Sequence, residues 1–382
     1  MRKIPFGRPL LDEREKQAVR DVLDGDILVH GPRAKQFDKD FAEKIGVKHA
    51  ISVSSCTAGL HLYYFSRGIG VGDEVIVPAQ THVATAHAVS LCGAKPVFVD
   101  CEPLTGNIDL DQIEEKITPS TRAISIVHFL GMPVDMNRLL TIADKHGLEV
   151  LEDCALALGT RFQGKHAGTL GIAGAFSFYP VKHITSAEGG MITTNDDKLA
   201  ARLIRQKAFG VDRTVSERQV PGVYDVDMLG FNYRMSEVHA AIGIEQLKKA
   251  DAFLKIREQN YHHLASALKG ITDITLLEST QEDFVSSYYC LSIVLSASLR
   301  ASRLEIVKYL NDNGVGTSVY YPNPVPLLKF YNSDGAVSPA NYPNASAISY
   351  GSIALPVGAH LNMEDMEYIG QQVKVAIQSV RK

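Results

Sequence analysis

The sequence has no tryptophan, no apolar run long enough to cross a membrane, and only five cysteines. The cysteines are widely spaced, and no two of them form a Cys-x-x-Cys pair. In a chain of 382 residues this usage indicates reduced thiols, and the charged amino terminus carries no apolar signal segment. We therefore expect a cytoplasmic protein, and the sequence shows no metal-ligand spacing, so no metal site is predicted.

Charge of one sign is also scarce, because 39 Lys and Arg residues stand against 43 Asp and Glu residues. A net charge of −4 gives no overall attraction for nucleic acid or for an anionic membrane. The apolar content of 45% is ordinary for a globular protein with a large buried core. The composition predicts a globular chain that binds neither nucleic acid nor a membrane.

A near-match to the phosphate-binding P-loop occurs at residues 159–166. The pattern GxxxxGK[ST] ends in a hydroxyl residue that binds magnesium, and this chain has His166 there. The residues that follow do not begin a helix, so nucleotide hydrolysis is not predicted.

Between residues 48 and 195, short β-branched runs alternate with longer amphipathic segments. Near-continuous apolar strands separated by helices predict an α/β fold with a mostly parallel central sheet sandwiched by helices. Ligands bind such sheets beyond the carboxyl ends of the strands. We predict strands at residues 50–53, 74–77, 96–99, 123–127, 148–151 and 175–178, and helices at 110–117 and 136–145.

A long amphipathic stretch at residues 236–268 predicts a helix that leads out of the large domain. The remainder predicts a smaller α+β domain. Its predicted elements are a strand at 288–295, a helix at 303–313, a strand at 317–321 and a final helix at 363–380. We divide the chain into a large domain, residues 1–250, which includes the amino-terminal segment, and a small carboxyl-terminal domain, residues 251–382.

Two predicted strand ends carry residues suited to a binding site. Glu152 and Asp153 follow the strand at 148–151, which places a carboxylate at the edge of the sheet where ligands bind. A helix cap or a solvated turn would use an Asp equally well. Small and hydroxyl residues at 54–57 stand where a strand gives way to a helix, and such a turn is either a phosphate site or a plain Ser N-cap.

The segment from 175 to 190 is the most informative part of the chain. An apolar strand delivers Ser177 and then Lys182 into a loop that residues 188–190 close, and a second apolar strand follows at 191–194. A lysine between two buried strands is desolvated, which lowers its pKa and makes the amine nucleophilic. Most lysines are merely solvated, so the prediction for Lys182 depends on its combination with the other segments.

The order of these and other segments, over nearly the whole chain, resembles the DegT/StrS-type family of sugar aminotransferases. Members of that family are fold type I enzymes that depend on pyridoxal 5′-phosphate (PLP). The resemblance implies the fold type I PLP-transferase fold, with a small α+β domain after the large one. The matching motifs are Ile4-Pro-Phe-Gly-Arg-Pro, Gly31-Pro-Arg-Ala-Lys-Gln-Phe, Gly72-Asp-Glu-Val-Ile-Val-Pro, Thr81-His-Val-Ala-Thr, Glu152-Asp-Cys-Ala-Leu-Ala-Leu-Gly, Ser177-Phe-Tyr-Pro-Val-Lys, Glu188-Gly-Gly, Gly230-Phe-Asn-Tyr-Arg-Met and Ile353-Ala-Leu-Pro-Val.

The resemblance implies catalytic roles for two residues. Lys182 would form the Schiff base with PLP and then act as acid and base in the proton shift. Asp153 would pair with the pyridine nitrogen and keep the ring cationic. PLP would take up an amino group to become pyridoxamine 5′-phosphate (PMP), the intermediate from which the amino group is transferred.

The resemblance also implies which residues hold the cofactor. Ser177 and the turn Cys56-Thr57-Ala58 would bind its phosphate. His82 would stack on its ring, with a partly buried structural histidine as the alternative. Asn232 would reach the phosphate from the other subunit, which makes a homodimer with active sites at the subunit interface the minimum active unit.

Two positions depart from the family pattern. Leu156 stands where members often have His or Gln to bond the ring oxygen of the cofactor, so tuning of that oxygen must come from elsewhere or be absent. Cys56 stands where many members have Gly. Its backbone N–H is expected to preserve phosphate binding.

The predicted reaction is transamination from L-glutamate to a keto-sugar, in the biosynthesis of surface polysaccharide or another amino sugar. The favoured acceptor is a nucleotide-linked 4-keto-6-deoxy sugar. Three alternatives stay open: an acceptor without a nucleotide (a keto-sugar, a sugar acid or a cyclitol), PLP-dependent sugar dehydration, and a non-catalytic PLP-binding regulator. Dehydratase relatives carry His in place of the Schiff-base lysine, so Lys182 favours transamination.

Acceptor binding is expected to fall on the loops at residues 27–33, 212–224 and 320–328. These loops supply candidates for contact with a diphosphate or a sugar, although ordinary surface residues are an equal alternative. The candidates are His30, Arg33, Tyr320 and Tyr321.

Overall fold

The computed structural model describes residues 2–212, 220, 222–279 and 281–381. Its helices are α1 (Glu13–Leu23), α2 (Pro32–Ile45), α3 (Cys56–Ser66), α4 (Val83–Leu91), α5 (Met136–His146), α6 (Asp197–Gln206), α7 (Glu237–Leu268), α8 (Arg303–Asp312), α9 (Pro343–Gly351) and α10 (Met363–Val380). Its strands are β1 (His49–Val53), β2 (Glu74–Pro78), β3 (Lys95–Val99), β4 (Thr121–Val127), β5 (Glu149–Asp153), β6 (Arg161–Phe162), β7 (Lys165–His166), β8 (Ala173–Ser177), β9 (Gly190–Thr194), β10 (Ile274–Leu276), β11 (Phe284–Val285), β12 (Leu291–Leu295) and β13 (Ser352–Leu355). Within this described part of the chain, no helix is both long enough and apolar enough to cross a membrane.

Seven strands form the central sheet, in the order β1-β9-β8-β5-β4-β2-β3. β9 pairs antiparallel with both of its neighbours, whereas the pairings from β8 through β3 are parallel. All strands of this sheet except β9 therefore run in one direction. The predicted mostly parallel α/β sheet is confirmed, and the carboxyl ends of β1, β2, β5 and β8 lie on one edge.

The predicted strands of the large domain fall on β1 to β5 and on β8. Two of them are displaced along the chain by up to two residues. β5 continues to Asp153, and β8 begins at Ala173. Asp153 is therefore the last residue of a buried strand rather than a member of the turn that follows it.

The predicted helix at residues 110–117 is wrong. The chain forms two short 3₁₀ turns there, Leu110–Gln112 and Glu114–Lys116. Leu110 and Ile113 are both buried, and burial at a spacing of three residues is common to an α-helix and a 3₁₀ turn. The apolar spacing alone could not separate the two.

The predicted strand at residues 317–321 is also wrong. Ser318 makes a single bridge to Ala354. Pairing stops there because the C=O of Tyr320 accepts a hydrogen bond from the Gln80 side chain, at 2.9 Å, instead of from a neighbouring strand.

α7 connects two hydrophobic cores. Its first half contributes Ile244 and Leu247 to a core against the central sheet. Its second half contributes Leu264 and Leu268 to a core built on the three-stranded sheet β10-β12-β13 and on α8 and α10. The predicted boundary between residues 250 and 251 falls inside this helix, and the division into two domains stays a prediction.

Both faces of the central sheet are covered, because successive residues of a strand enter different cores. Ala175 of β8 packs with α3 on one face, whereas Phe176 packs on the other face against Phe41 of α2. Phe41 is fully buried and makes edge contacts with Phe37, Phe176 and Phe178. This aromatic cluster fixes α2 against the sheet.

We expect Phe41→Ala to lower the free energy of unfolding by about 3–5 kcal/mol, because it removes a buried ring and leaves a cavity. Denaturant titration measures this loss. Leu304→Ala is the control, since Leu304 of α8 is 76% exposed and its truncation should change stability by less than about 0.5 kcal/mol. Equal losses in the two variants would contradict the assigned core.

Candidate active site

Three neighbouring strands bring the predicted phosphate residues together at the carboxyl edge of the sheet. Gly190, at the start of β9, pairs with Val53 at the end of β1 and with Ser177 at the end of β8. A Cβ atom at position 190 would lie 2.5 Å from the backbone nitrogen of Cys56. The absence of a side chain at Gly190 lets β9 approach the Cys56 turn, and Ser177 lies beside it.

The Cys56 turn is the first turn of α3. The Ser55 hydroxyl accepts a hydrogen bond from the Ala58 N–H at 3.0 Å, so the Ser N-cap considered as the alternative is present and uses one predicted donor. The N–H groups of Cys56 and Thr57 remain, because a helix cannot pair its first amides internally. The Cys56 thiol is buried, 3.5 Å from the C=O of Ala175, so the side chain of this unusual residue points into the protein.

Asp153 is buried at the end of β5, where two short hydrogen bonds and a longer contact from the Cys56 thiol, at 4.0 Å from Oδ1, hold its oxygens. The Thr85 hydroxyl of α4 donates to Oδ2 at 2.8 Å, and the Ala155 N–H donates to Oδ1 at 3.0 Å. Burial raises the pKa of Asp153, while the bonds from Ala155 and Thr85 and the charge of Lys182 oppose that rise. The carboxylate is fixed in position and desolvated, which favours a cationic partner.

Lys182 lies in the loop between β8 and β9, within electrostatic reach of Asp153. Burial lowers the pKa of Lys182, and the neighbouring Cys56 and Asp153 act in the opposite direction. Its Nζ lies 5.4 Å from the centre of the Tyr289 ring. The amine therefore has the desolvated environment that the sequence predicts for a nucleophilic lysine.

The residue before Asp153 secures the same strand end by a separate set of bonds. Fully buried Glu152 accepts hydrogen bonds from backbone N–H groups within residues 168–171 at 2.7–2.8 Å and from His128 Nε2 at 2.9 Å. His128 Nδ1 accepts from the Val134 N–H at 3.1 Å, so the ring is neutral and its proton is on Nε2. Glu152 thus ties the strand end to two neighbouring loops.

The residues around Glu152 resemble a metal site only in their composition. His128, Glu152 and Cys154 place ligand-type atoms within 4.8 Å of one another. Glu152 already accepts hydrogen bonds on both oxygens, and both ring nitrogens of His128 are engaged. We assign the group a structural role.

His82 is the N-cap of α4 and lies within electrostatic reach of Asp153 and Lys182. Its Nδ1 accepts from the Ala84 N–H at 3.2 Å, so it has a structural role whether or not it also stacks on a ligand. Desolvation lowers the pKa of His82, while Asp153 raises it and Lys182 lowers it further. Tyr321 packs edge-on against His82, with ring centres 5.4 Å apart.

Tyr320 lies next to Tyr289, the residue whose ring is close to the Lys182 amine. Its hydroxyl is 2.9 Å from the Tyr289 hydroxyl, and burial raises the pKa of Tyr320 to about 12. Leu156 is buried in the apolar core that these tyrosines share. Its side chain offers no hydrogen bond, so position 156 does not tune a ring oxygen.

Asn232 lies at an exposed position in a separate group of polar residues. Its Oδ1 accepts from Arg234 Nε at 3.0 Å, and Arg234 Nη1 lies 2.9 Å from His30 Nε2. Within the described part of one chain, the Asn232 side chain contacts neither Lys182 nor Asp153. This placement is compatible with a role in a neighbouring subunit, which stays a prediction.

The remaining acceptor candidate, Arg33, lies in the first turn of α2. Its backbone N–H donates to Glu237 at 2.6 Å, which anchors this turn to α7. Of the predicted acceptor loop at 212–224, residues 213–219 and 221 lie outside the described residues.

Sequence reasoning missed Thr85, Tyr289 and Arg234 as parts of these groups. Thr85 had a signal, because it ends the same family motif that Thr81 begins, and their hydroxyls are 2.8 Å apart. Arg234 had one too, since it follows Asn232 within the same motif. Tyr289 had none, because it comes from a distant part of the chain.

A model of the DegT/DnrJ/EryC1/StrS aminotransferase family matches residues 9–374. The chain belongs to this family. GDP-perosamine synthase of Caulobacter vibrioides is 36% identical over 96% of this chain and 96% of that protein. PseC of Helicobacter pylori, an aminotransferase involved in the biosynthesis of pseudoaminic acid, superposes with a TM-score of 0.92 at 29% identity, over 99% of this chain and 100% of that one.

Spr1654 of Streptococcus pneumoniae has been solved in a PMP-form and a PLP-form. The PMP-form has a TM-score of 0.94 at 27% identity, over 99% of this chain and 100% of that one. The PLP-form has a TM-score of 0.93 at 27% identity, over 100% of each chain. The predicted family, fold and cofactor, PLP with PMP as intermediate, are confirmed by these comparisons.

The residues of this aminotransferase fit PLP on three observations. Asp153 is a buried carboxylate held by neutral donors, and it has no ion pair within the described part of the chain. Lys182 is a desolvated amine close to it. Gly190 keeps the turn that holds the Cys56 and Thr57 amides free of a side chain.

We expect Asp153→Asn to stabilise the cofactor-free aminotransferase at neutral pH. Because the folded-state pKa of Asp153 is raised above the ordinary value of 3.8, the stability linked to its protonated form is fully present below that pH. It is lost as the pH rises through the raised value. Asn avoids this loss, and the Thr85 hydroxyl, which also contacts Thr81, can turn to accept from the new amide.

Thermal unfolding at a series of pH values checks this expectation. The midpoint of the variant should exceed that of the wild type near pH 7, and the difference should shrink toward about pH 4. A variant less stable than the wild type at neutral pH would show that ionised Asp153 stabilises the empty site.

Proposed function

We propose that this chain is a PLP-dependent aminotransferase that moves the amino group of L-glutamate to a keto-sugar, with a nucleotide-linked 4-keto-6-deoxy sugar as the favoured acceptor. L-glutamate and the keto-sugar would give 2-oxoglutarate and the amino sugar. The observation that carries the proposal is the desolvated Lys182 amine close to the buried Asp153 carboxylate. When bound there, PLP would supply an aldehyde carbon that carries the amino group between the substrates and a ring that withdraws electrons from it.

Lys182 would hold the cofactor and move the proton. Burial lowers the pKa of Lys182, so a larger fraction of Nζ is unprotonated at neutral pH and can act as nucleophile and base. Its Nζ would take the proton from Cα of the donor and deliver a proton to the sugar carbon. The Tyr289 ring next to Nζ helps to exclude water from this transfer.

Asp153 would face the pyridine nitrogen and favour its protonated form. Thr85 and Ala155 hold the two carboxylate oxygens, so the negative charge is directed before any ligand binds. Ser177 and the first turn of α3 would hold the phosphate, since a helix N-terminus presents N–H groups and a favourable dipole to an anion.

A homodimer completes the proposal, with Asn232 of one subunit reaching the site of the other. Arg234 Nε donates a hydrogen bond to the carbonyl oxygen of the Asn232 side chain. The NH₂ group of that side chain would then serve as a donor to a phosphate oxygen. Exposed apolar side chains adjoin this group: residues 27–29 precede His30, and the exposed Phe209 ring lies 5.0 Å from the Arg234 guanidinium carbon. Burial of such a surface against a second copy would be favourable.

The acceptor would lie between Tyr320 and Tyr321 of one subunit and His30 and Arg33 of its partner. The name of the Caulobacter vibrioides relative, GDP-perosamine synthase, supports a sugar nucleotide as acceptor. The product would then be an amino sugar for polysaccharide or another glycan.

We expect Lys182→Ala to lower turnover by at least about 100-fold, because both the covalent attachment and the proton carrier are removed. The variant should still bind PLP non-covalently. The measurement is transfer of ¹⁵N from labelled L-glutamate to the sugar product, read by mass spectrometry. Lys165→Ala, at an exposed lysine of β7, is the control and should match the wild type.

Full activity of Lys182→Ala would contradict the assignment. A wild-type sugar product that is altered but contains no ¹⁵N would indicate dehydration instead of transamination.

Mixing Lys182→Ala subunits with Asn232→Ala subunits tests the shared site. If Asn232 serves the partner, each mixed dimer contains one intact site, and random re-association restores about a quarter of the wild-type activity. Each variant alone, taken through the same dissociation and re-association, is the control. No recovery above the Asn232→Ala level would show that Asn232 acts within its own subunit.

A further inference from the structure

A buried arginine without a charged partner lies near the proposed site. Arg257 of α7 is 8% exposed, and its Nη1 donates to the C=O of Tyr289 at 2.9 Å. Its Nε has no hydrogen-bond partner. Within residues 2–212, 220, 222–279 and 281–381, no carboxylate pairs with it.

The ionisable groups around Arg257 do not supply the missing anion. Burial raises the pKa of Tyr320 and of Cys290 to about 12 in each case and raises that of Tyr289 well above its usual value, so all three are uncharged at neutral pH. Burial and the nearby Arg257 charge hold the pKa of His183 well below its usual range, so this ring is neutral as well. A buried cation in neutral surroundings is unfavourable unless a ligand pairs with it.

A pocket between the amino-terminal segment, the Lys182 loop and α7 opens beside this arginine. Its lining includes Arg8, Lys182 and Arg257, and it contains no Asp or Glu. Arg8 is the exposed member of this cationic lining, whereas Arg257 is buried. The charged side chains that line the pocket are therefore all basic.

We propose that this pocket binds the side-chain carboxylate of the amino donor, with Arg257 as its principal partner and the exposed Arg8 as the second. Nη1 of Arg257 is occupied, but the edge formed by Nε and Nη2 is the one with which a guanidinium binds a carboxylate through two parallel hydrogen bonds. Lys182 lines the same pocket, and the donor amine reacts at the place that the lysine amine occupies. A planar carboxylate fits a buried guanidinium edge better than a bulky diphosphate does.

This assignment rests on the proposed transamination and selects the donor: L-glutamate, which has a distal carboxylate, over L-glutamine, which has the same length and a neutral amide. The test is the donor half-reaction of the PLP-loaded wild type and variants, without any sugar, followed by the loss of near-visible absorbance. Each protein is titrated with L-glutamate and, separately, with L-glutamine.

We expect Arg257→Gln to raise the half-saturating concentration of L-glutamate by about 10- to 100-fold and to change that of L-glutamine by less than about 2-fold. Arg257→Lys should recover part of the loss, since it keeps the charge. Arg8→Gln, at an exposed position, should weaken the binding of L-glutamate alone and to a smaller extent. Arg303→Gln is the matched control, because Arg303 also donates Nη1 to a backbone C=O, that of Ser349, outside the pocket.

Equal losses for both donors in Arg257→Gln and no effect of Arg8→Gln would overturn the pocket assignment, as would a loss confined to the later reaction with a sugar nucleotide. Failure of the proposed function looks different. A wild-type enzyme that reacts with L-glutamine but not with L-glutamate would contradict the proposed donor itself.

Discussion

The site depends on a carboxylate that the fold keeps out of water. Asp153 ends a strand in the middle of the central sheet, with parallel neighbours on both sides. Burial raises its pKa, and the hydrogen bonds from Thr85 and Ala155 fix its oxygens instead of neutralising it. The hydrogen bonds of Glu152 secure the strand end and so help to hold Asp153 in its buried position. The arrangement favours a ligand that brings a positive charge to this point.

Burial also disfavours the charged forms of the lysine and the arginine of the site, which are cations instead of an anion. Burial lowers the pKa of Lys182 and of Arg257, and Arg257 keeps a nitrogen without a partner. The ligands proposed here would supply what the chain lacks: a cationic ring for Asp153, an aldehyde carbon for Lys182 and a carboxylate for Arg257. A protein built in this way is expected to gain stability when its site is filled, because ligands that bind only the folded state stabilise it.

Much of the fold and part of the site could be predicted from the sequence, because both depend on local patterns. Alternating apolar runs predict the parallel sheet. Asp153 and Ser177 end two of its strands, and Lys182 lies in the loop after one of them. Contacts between distant segments could not be predicted in this way. Tyr289 next to Lys182 and the unpaired Arg257 result from how the second half of the chain packs against the first. The wrong strand at 317–321 fails for the same reason, because a hydrogen bond from distant Gln80 ends the pairing. The wrong helix at 110–117 fails for a local reason, because its apolar spacing suits a 3₁₀ turn equally well.

The most direct test of this account is the absorption spectrum of the purified protein before and after L-glutamate is added. The account predicts a near-visible band from PLP bound to Lys182, which L-glutamate converts to the near-ultraviolet absorbance of PMP. A near-visible band that L-glutamate leaves unchanged would contradict the proposed donor reaction. The absence of any band after PLP is added would contradict the central claim that Asp153 and Lys182 form a PLP site.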